Sequence, residues 1–237
     1  MFNDELSGAT IALSAPLTLP LDLTIDASAL PLAPTLSGGG STRVLGGRRD
    51  HRHPAGLTIA NGWAPQEGCG IANVGNLTVD RCLLTSNRAF PVLINDTLGG
   101  AIANYGNLTV TDSQFLQNSV GIIKIVGITP ETVLCPGHGG AIYNALGATL
   151  TAKESGFSGN SALGRGGAIL SAGALSVADS WFEEGSAQGG GAMYTAGPTT
   201  ATLESCSFTG NRAPSTSALG DGQGGAIATE GPLAVLD

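Results

Sequence analysis

Carboxylates recur at one aligned position of this chain, three residues before an aromatic side chain. Asp112, Glu154 and Asp179 occupy that position. On successive turns of a stacked β fold such groups would lie about 5 Å apart, and Ca²⁺ takes about six to eight oxygen ligands of this kind. Lys153, directly before Glu154, would neutralise the row instead. The spacing leaves two alternatives open, a weak metal site or a charged, solvated face.

A histidine between two glycines, in Gly137-His138-Gly139, is a further candidate for chemistry. Hydrolysis of a glycosidic bond with inversion requires carboxylates on both sides of the sugar. The chain contains no Asn-Thr-Asp segment and no adjacent pair of aspartates. It also lacks a Gly-x-Ser-x-Gly elbow, a P-loop and a dinucleotide-binding fingerprint. We therefore predict no catalytic residue and place His138 at the end of a loop.

The elements that must position these groups repeat along the chain. Full units begin at Gly68, Gly99, Gly139, Gly166 and Gly190, and a shorter one begins at Gly224. Within the units apolar residues alternate with hydroxyl residues, a period of two that marks short strands. Three apolar rows recur in each full unit, so three strand faces are expected. A unit of about 20–24 residues with three strands between Gly and Asn turns is typical of one coil of a β-helix.

We therefore predict an all-β chain that forms a single right-handed parallel β-helix, a solenoid with inserted loops on one corner. The handedness follows the general rule for parallel crossover connections. Residues 68–237 form the regular coils, and residues 1–67 form earlier, irregular coils of the same solenoid. A repeat array needs polar caps, and the sequence stops inside its sixth unit, so we expect a piece of a longer protein.

Asparagine recurs three residues after the aromatic position, and Gly185 replaces it in one unit. Asparagine tolerates a left-handed corner, and stacked amides can hydrogen-bond along a repeat axis. We predict a structural ladder of asparagines beside a column of aromatic rings. Its members are Asn87, Asn118, Asn160, Asn211, Phe115, Phe157, Phe182 and Phe208.

The two short elements of the repeat resemble the GGAI and FxxN motifs of chlamydial polymorphic outer membrane proteins. They are also similar to the β-helix passenger regions of bacterial autotransporters and surface adhesins. The resemblance covers roughly residues 68–237, although Leu84 replaces the aromatic residue in one unit. The matching segments are Gly99–Ile102, Gly139–Ile142 and Gly166–Ile169 for GGAI, and Phe115–Asn118, Phe157–Asn160 and Phe208–Asn211 for FxxN.

This resemblance implies a non-catalytic, secreted or cell-surface β-helix that acts as an adhesin-like stalk and recognition surface. It places the protein at the extracellular or outer-membrane surface, with a host-surface protein or a glycan as partner. The alternative is a polysaccharide lyase or glycoside hydrolase of the pectin-degrading β-helix type. That alternative would be calcium-dependent through Asp112, Glu154 and Asp179.

Insertions interrupt the repeat at one point, between the asparagine of one unit and the glycine pair of the next. They comprise residues 88–98, 119–138 and 212–222. All three leave from the same corner of a coil, and insertions on one face of a solenoid often form its binding surface. We predict a binding corner that includes Asp96, Lys124, Glu131, His138, Arg212 and Asp221.

Charge and hydropathy exclude other classes of partner. Ten Lys and Arg against eighteen Asp and Glu give a net charge of −8, which opposes the phosphate backbone of nucleic acid. No stretch approaches the roughly 18 consecutive apolar residues that cross a bilayer, so we expect no membrane insertion by this segment. The first residues show no basic-then-apolar signal pattern. Nothing in the motifs requires a cofactor, and we predict none.

Overall fold

Three long parallel sheets form the body of the protein in a computed structural model. The structure describes residues 3–18, 23–46, 51–90, 96–121, 123–124, 132–133, 136–198, 200–214 and 223–237. Each long sheet contains eight strands, one from each successive coil. We call them sheets I, II and III in the order in which the regular coils visit them.

The strands of each sheet are short, because Gly and Asn turns interrupt the alternating pattern after two to five residues. Sheet I contains Leu17–Thr18, Leu45–Gly46, Ile71–Asn73, Ile102–Asn104, Ile142–Asn144, Ile169–Ser171, Met193–Thr195 and Ile227–Thr229. Sheet II contains Leu23–Asp26, His51–Ala55, Asn76–Asp80, Asn107–Thr111, Thr149–Lys153, Ala174–Ala178, Ala201–Glu204 and Leu233–Leu236. Sheet III contains Thr10–Ala12, Thr35–Ser37, Thr58–Ala60, Leu83–Thr85, Gln114–Leu116, Gly156–Ser158, Trp181–Glu183 and Ser207–Thr209.

Smaller elements lie between sheets III and I along the chain. A fourth parallel sheet contains Trp63–Ala64, Arg88–Ala89, Ser119–Val120 and Ser161–Ala162. A parallel pair joins Thr97–Leu98 to Gly137–His138, and an antiparallel pair joins Ile123–Lys124 to Thr132–Val133. A 3₁₀ turn at Asp4–Leu6 precedes the first strand of sheet III. The regular body is thus a three-sided solenoid with extra strands at one corner.

The core consists of columns of apolar side chains stacked from coil to coil. Phe115, Phe157, Phe182 and Phe208 stack in one column, with ring centroids 4.7–4.8 Å apart and interplanar angles of 3–10°. The first three rings are almost fully buried. Because a parallel register repeats each residue one strand spacing along the axis, like side chains must meet like.

Asn87, Asn118 and Asn160 form a ladder at the corner after sheet III. The backbone and side-chain N–H groups of Asn87 both donate to Asn118 Oδ1 at 3.0 Å. Asn118 repeats the pattern on Asn160, and the backbone N–H of Gly185 donates to Asn211 Oδ1. A second ladder joins Asn73, Asn104 and Asn144 through side-chain bonds of 2.7 Å in sheet I. Buried amides therefore satisfy one another along the axis, as the polar groups of a dry core must.

The predicted parallel β-helix with its inserted loops on one corner is therefore the fold of this chain. The strands before residue 67 continue the same three sheets. In sheet III, register partners lie between 23 and 42 residues apart in sequence, depending on the segment between them. These separations include the connecting segments, so the unit length and the handedness stay predictions.

Candidate functional site

The insertions begin side by side. Parallel pairing aligns the residues that follow the asparagine corner, and we call this row the departure ladder. It contains Arg88, Ser119, Ser161, Ser186 and Arg212. Beneath it lies a small core of Ala64, Cys69, Ala89, Val120, Ala162 and Ala187. The three insertions therefore leave from one corner.

After each connecting segment the chain re-enters the body at positions that pair with one another from coil to coil. The residue that precedes each glycine pair pairs with its equivalent in the next coil, and we call this row the return ladder. It contains Leu98, His138, Arg165, Gly189 and Gln223. We call the surface between the two ladders the loop corner.

Four of the six predicted binding residues lie among the described residues, and two of these four lie in the ladders. Arg212 lies in the departure ladder and His138 in the return ladder. Asp96 directly precedes the strand Thr97–Leu98, and Lys124 lies in the antiparallel pair. Glu131 and Asp221 lie outside the described residues.

Asp96 and His138 meet in a cleft of about 370 Å³, which we call the His138 cleft. Its lining is Asp96, Pro136, His138, Gly164, Arg165, Gln188, Gly189 and Gln223. The backbone N–H of Arg165 donates to His138 Nδ1 at 3.1 Å. A neutral imidazole that accepts at Nδ1 carries its proton on Nε2, and Nε2 lies 3.9 Å from an oxygen of Asp96.

The environment of His138 favours its neutral form. Burial lowers the pKa of this imidazole, and the Arg165 cation lowers it further, while the Asp96 carboxylate raises it in part. Protonation would also remove the acceptor that the Arg165 N–H uses, because both nitrogens of an imidazolium are donors. The cleft is therefore organised around an uncharged histidine.

We expect the chain to lose stability as the pH falls below about 6.5, the ordinary pKa of histidine. The unfolded chain takes up the His138 proton in that range, whereas the folded chain does so only at lower pH. Urea denaturation at pH 7.5 and pH 5.5 measures this loss, and His138→Gln should reduce it. An equal loss of stability in the parent chain and in His138→Gln would contradict a lowered pKa of His138.

Arg165 is held in place at the edge of the cleft. Its guanidinium carbon lies 4.6 Å from the ring centroid of Tyr194, and its Nη1 lies 3.3 Å from Glu230 Oε1. The Tyr194 hydroxyl donates to the same carboxylate. Burial and this bond raise the pKa of Tyr194 to about 12, and the bond lowers the pKa of Glu230. A planar cation fixed on an aromatic face offers its remaining N–H groups to a partner without a large entropy cost.

Arg165, Gln188 and Gln223 are cleft residues that were not predicted from the sequence. They lie at or beside the ends of the connecting segments, outside the long insertions that were predicted to bind. One signal was available, because Arg165 and Gln223 precede a glycine pair as His138 does. Alignment on that position places His138, Arg165 and Gln223 in one row.

The carboxylate row lies elsewhere, at the turn between sheets II and III. Asp112, Glu154 and Asp179 all have φ near +50° and so occupy equivalent left-handed turns on successive coils. Lys153 Nζ lies 3.1 Å from Glu154 Oε1 and 3.9 Å from Asp179 Oδ2. Within the described part of the chain, no three His, Cys, Asp or Glu side chains are grouped to hold a metal ion.

Lys153 therefore neutralises part of the row, one of the two arrangements that the sequence leaves open. The bond to Glu154 and the nearby carboxylates raise the pKa of Lys153. A lysine that stays protonated is in the wrong state to abstract a proton from a sugar. This geometry gives no support to the lyase alternative.

The fold and the loop corner define a class, the parallel β-helix repeat proteins that display loops on one face. A family model described as the Chlamydia polymorphic membrane protein repeat matches residues 157–172 and 205–230. Each matched segment contains one FxxN and one GGAI element, in the first Phe157–Asn160 and Gly166–Ile169. The chain is thus a β-helix repeat protein that resembles polymorphic membrane proteins.

Two further comparisons find no relative. No curated protein and no solved structure matches the chain. In the described residues, no helix has the length and apolar character needed to cross a bilayer.

Proposed function

We propose that this chain is a non-catalytic β-helix of a bacterial surface, in which the coils act as a stalk and the loop corner recognises a partner. The repeat match supports an outer-membrane or cell-surface setting, because the matched repeat is that of a membrane protein of Chlamydia. The observation that carries the proposal is the pair of ladders, which gather three insertions on one face. The partner is a protein or glycan of a host-cell surface.

The composition of the corner fits recognition of a polar partner. Asp96, His138 and Arg165 present an acid, an imidazole and a guanidinium within one cleft. Elsewhere the coils place their hydrogen-bonding groups in ladders that satisfy one another. Loops on a rigid scaffold are where binding residues concentrate, and here the scaffold fixes both ends of each loop.

One insertion can be removed without disturbing the coils. A Cβ built on Gly137 would lie 2.7 Å from the Gly121 nitrogen, so the two glycines are in contact. In the next coil Leu163 and Gly164 occupy the equivalent places, bonded to Val120 and Gly137, and are directly joined. Deleting residues 122–136 therefore copies the connection that an uninterrupted coil already uses.

We expect this deletion to keep the β circular-dichroism spectrum and the melting temperature, and to reduce cell binding about tenfold or more. Beads coated with the 237-residue chain are counted on cultured epithelial cells, with protease-treated and glycosidase-treated cells as separate arms. Lys153→Gln, which changes a charge at the turn between sheets II and III, is the matched control and should bind normally. Equal binding by the deletion and the full chain would remove the loop corner from recognition.

A further inference from the structure

A second cleft lies beside the first residues of the insertion 88–98, on earlier coils than the His138 cleft. Its volume is about 600 Å³, and we call it the Trp63 cleft. The lining is Gly39, Gly40, Asn61, Gly62, Trp63, Ser86, Arg88 and Phe90. Ligand-binding clefts have volumes of about 300–1,000 Å³. The cleft combines two aromatic rings, one cation and two small polar side chains.

The register of the fourth sheet fixes the two principal groups beside each other. Trp63 and Arg88 are direct partners in parallel strands, and the Arg88 N–H donates to the Gly62 carbonyl at 2.9 Å. Their neighbours Ala64 and Ala89 point inward and are buried. Side chains alternate across a strand, so Trp63 and Arg88 both face outward, about 5 Å apart at the backbone.

The polar groups of the cleft come from the turn that precedes those strands. Asn61 and Ser86 have φ of 52° and 56°, and they occupy the same left-handed turn on successive coils. Asn61 is exposed and Ser86 is half-buried. An amide and a hydroxyl each donate and accept hydrogen bonds, which is the pairing that a sugar hydroxyl requires.

Arg88 carries a charge that the described residues do not neutralise. Arg81, Lys153 and Arg165 each have a carboxylate oxygen within 4 Å. Arg88 is exposed and has no such partner in the part of the chain that the structure describes. The described lining of the cleft contains the Arg88 cation and no carboxylate.

We propose that the Trp63 cleft binds an acidic saccharide, a pyranose that carries a carboxylate. The sugar ring packs its C–H face on Trp63 or Phe90, because aromatic rings combine a large apolar face with little conformational freedom. Its carboxylate pairs with the Arg88 guanidinium, whose fork geometry matches two oxygens. Its hydroxyls bond to Asn61 and Ser86. The proposal names a ligand class for one end of the loop corner and rests on the proposed recognition function.

The chain provides its own reporter for this test. Trp63 and Trp181 are its two tryptophans, and Trp181 lies on sheet III. In a Trp181→Phe background the emission therefore reports on Trp63 alone. The probe is a hexasaccharide of alternating glucuronate and N-acetylglucosamine, and its carboxyl-reduced form is the neutral control.

We expect the acidic probe to change the Trp63 emission saturably and the reduced probe to bind about tenfold more weakly or not at all. Arg88→Gln should weaken binding of the acidic probe by about tenfold. Arg81→Gln is the matched control, because Arg81 lies at the turn between sheets II and III beside Asp80 and should bind normally. Circular dichroism confirms that each variant is folded.

Three results would overturn the proposal: no emission change or calorimetric heat with the acidic probe, equal binding of the reduced probe, or equal loss in Arg88→Gln and Arg81→Gln. Trp63→Phe keeps an aromatic face, and calorimetry on this variant should still detect the probe. If the saccharide fails to bind while deletion of residues 122–136 still abolishes cell binding, only the ligand class is wrong. If the deletion also leaves cell binding unchanged, the proposed recognition function is wrong as well.

Discussion

Replacing Gly167 with alanine is expected to prevent the chain from folding. A Cβ at this position would lie 1.9 Å from the Gly191 carbonyl oxygen and 2.6 Å from the Ser186 nitrogen. Both atoms belong to the backbone, Ser186 at the end of the unit that Gly167 opens and Gly191 in the next unit, so the coils must separate before the methyl group fits. Such a clash exceeds ordinary overpacking, and we expect a loss of about 4 kcal/mol or more in the free energy of unfolding.

The matched control for Gly167 is Gly225, the same glycine of the motif in the last unit. A Cβ on Gly225 would meet its nearest atom, the Asn211 oxygen, at 3.8 Å. Gly225→Ala should therefore change the free energy of unfolding by about 0.5 kcal/mol or less. Soluble yield, circular dichroism and urea denaturation of the two variants decide the matter. If they unfold at the same urea concentration, the glycine pair is not required for close approach of the coils.

Replacing Asn118 with alanine is expected to cost about 3–5 kcal/mol in the free energy of unfolding. Its side chain donates to the Leu84 carbonyl and to Asn160 Oδ1, and accepts from both the backbone and the side chain of Asn87. Asn118 is fully buried. The variant leaves the backbone N–H of Asn87 without its acceptor in a dry interior, where an unmade bond carries its full desolvation cost.

Asn107 provides the comparison for that substitution. Its side chain donates to Asn76 Oδ1 at 2.8 Å on the surface of sheet II. Water can replace this bond, so Asn107→Ala should change the free energy of unfolding by about 0.5 kcal/mol or less. Denaturation curves for the two alanine variants measure the difference. Similar values would show that burial of the ladder contributes nothing beyond a surface amide pair.

The fold could be predicted from the sequence because the same pattern of residues recurs in successive coils. A parallel stack places each residue on its equivalent in the next coil, so Phe115, Phe157 and Phe182 must form one column once the repeat is aligned. The same logic gives the asparagine ladder, since Asn118 and Asn160 keep a fixed distance from the aromatic residue. The predicted row of carboxylates also lies on successive coils, although its pairing with Lys153 depended on side-chain geometry.

The clefts could not be predicted in the same way. The His138 cleft joins Asp96 to Arg165 and Gln188, which come from three connections of different length. The Trp63 cleft precedes the regular glycine pairs, so no repeat marks Trp63 or Phe90. Only the register of the fourth sheet brings Trp63 and Arg88 together. Periodicity therefore specifies the body, whereas the sites arise where periodicity fails.

Because Gly121 and Gly137 are in contact, the loop between them can vary without changing how the coils pack. A loop that leaves and re-enters at touching residues can lengthen, shorten or be exchanged while the coils on either side keep their register. Closing a longer loop costs only about 0.6 kcal/mol for each doubling of its length. The loops of this corner can thus change in length and sequence while the glycine pairs and asparagines stay unaltered.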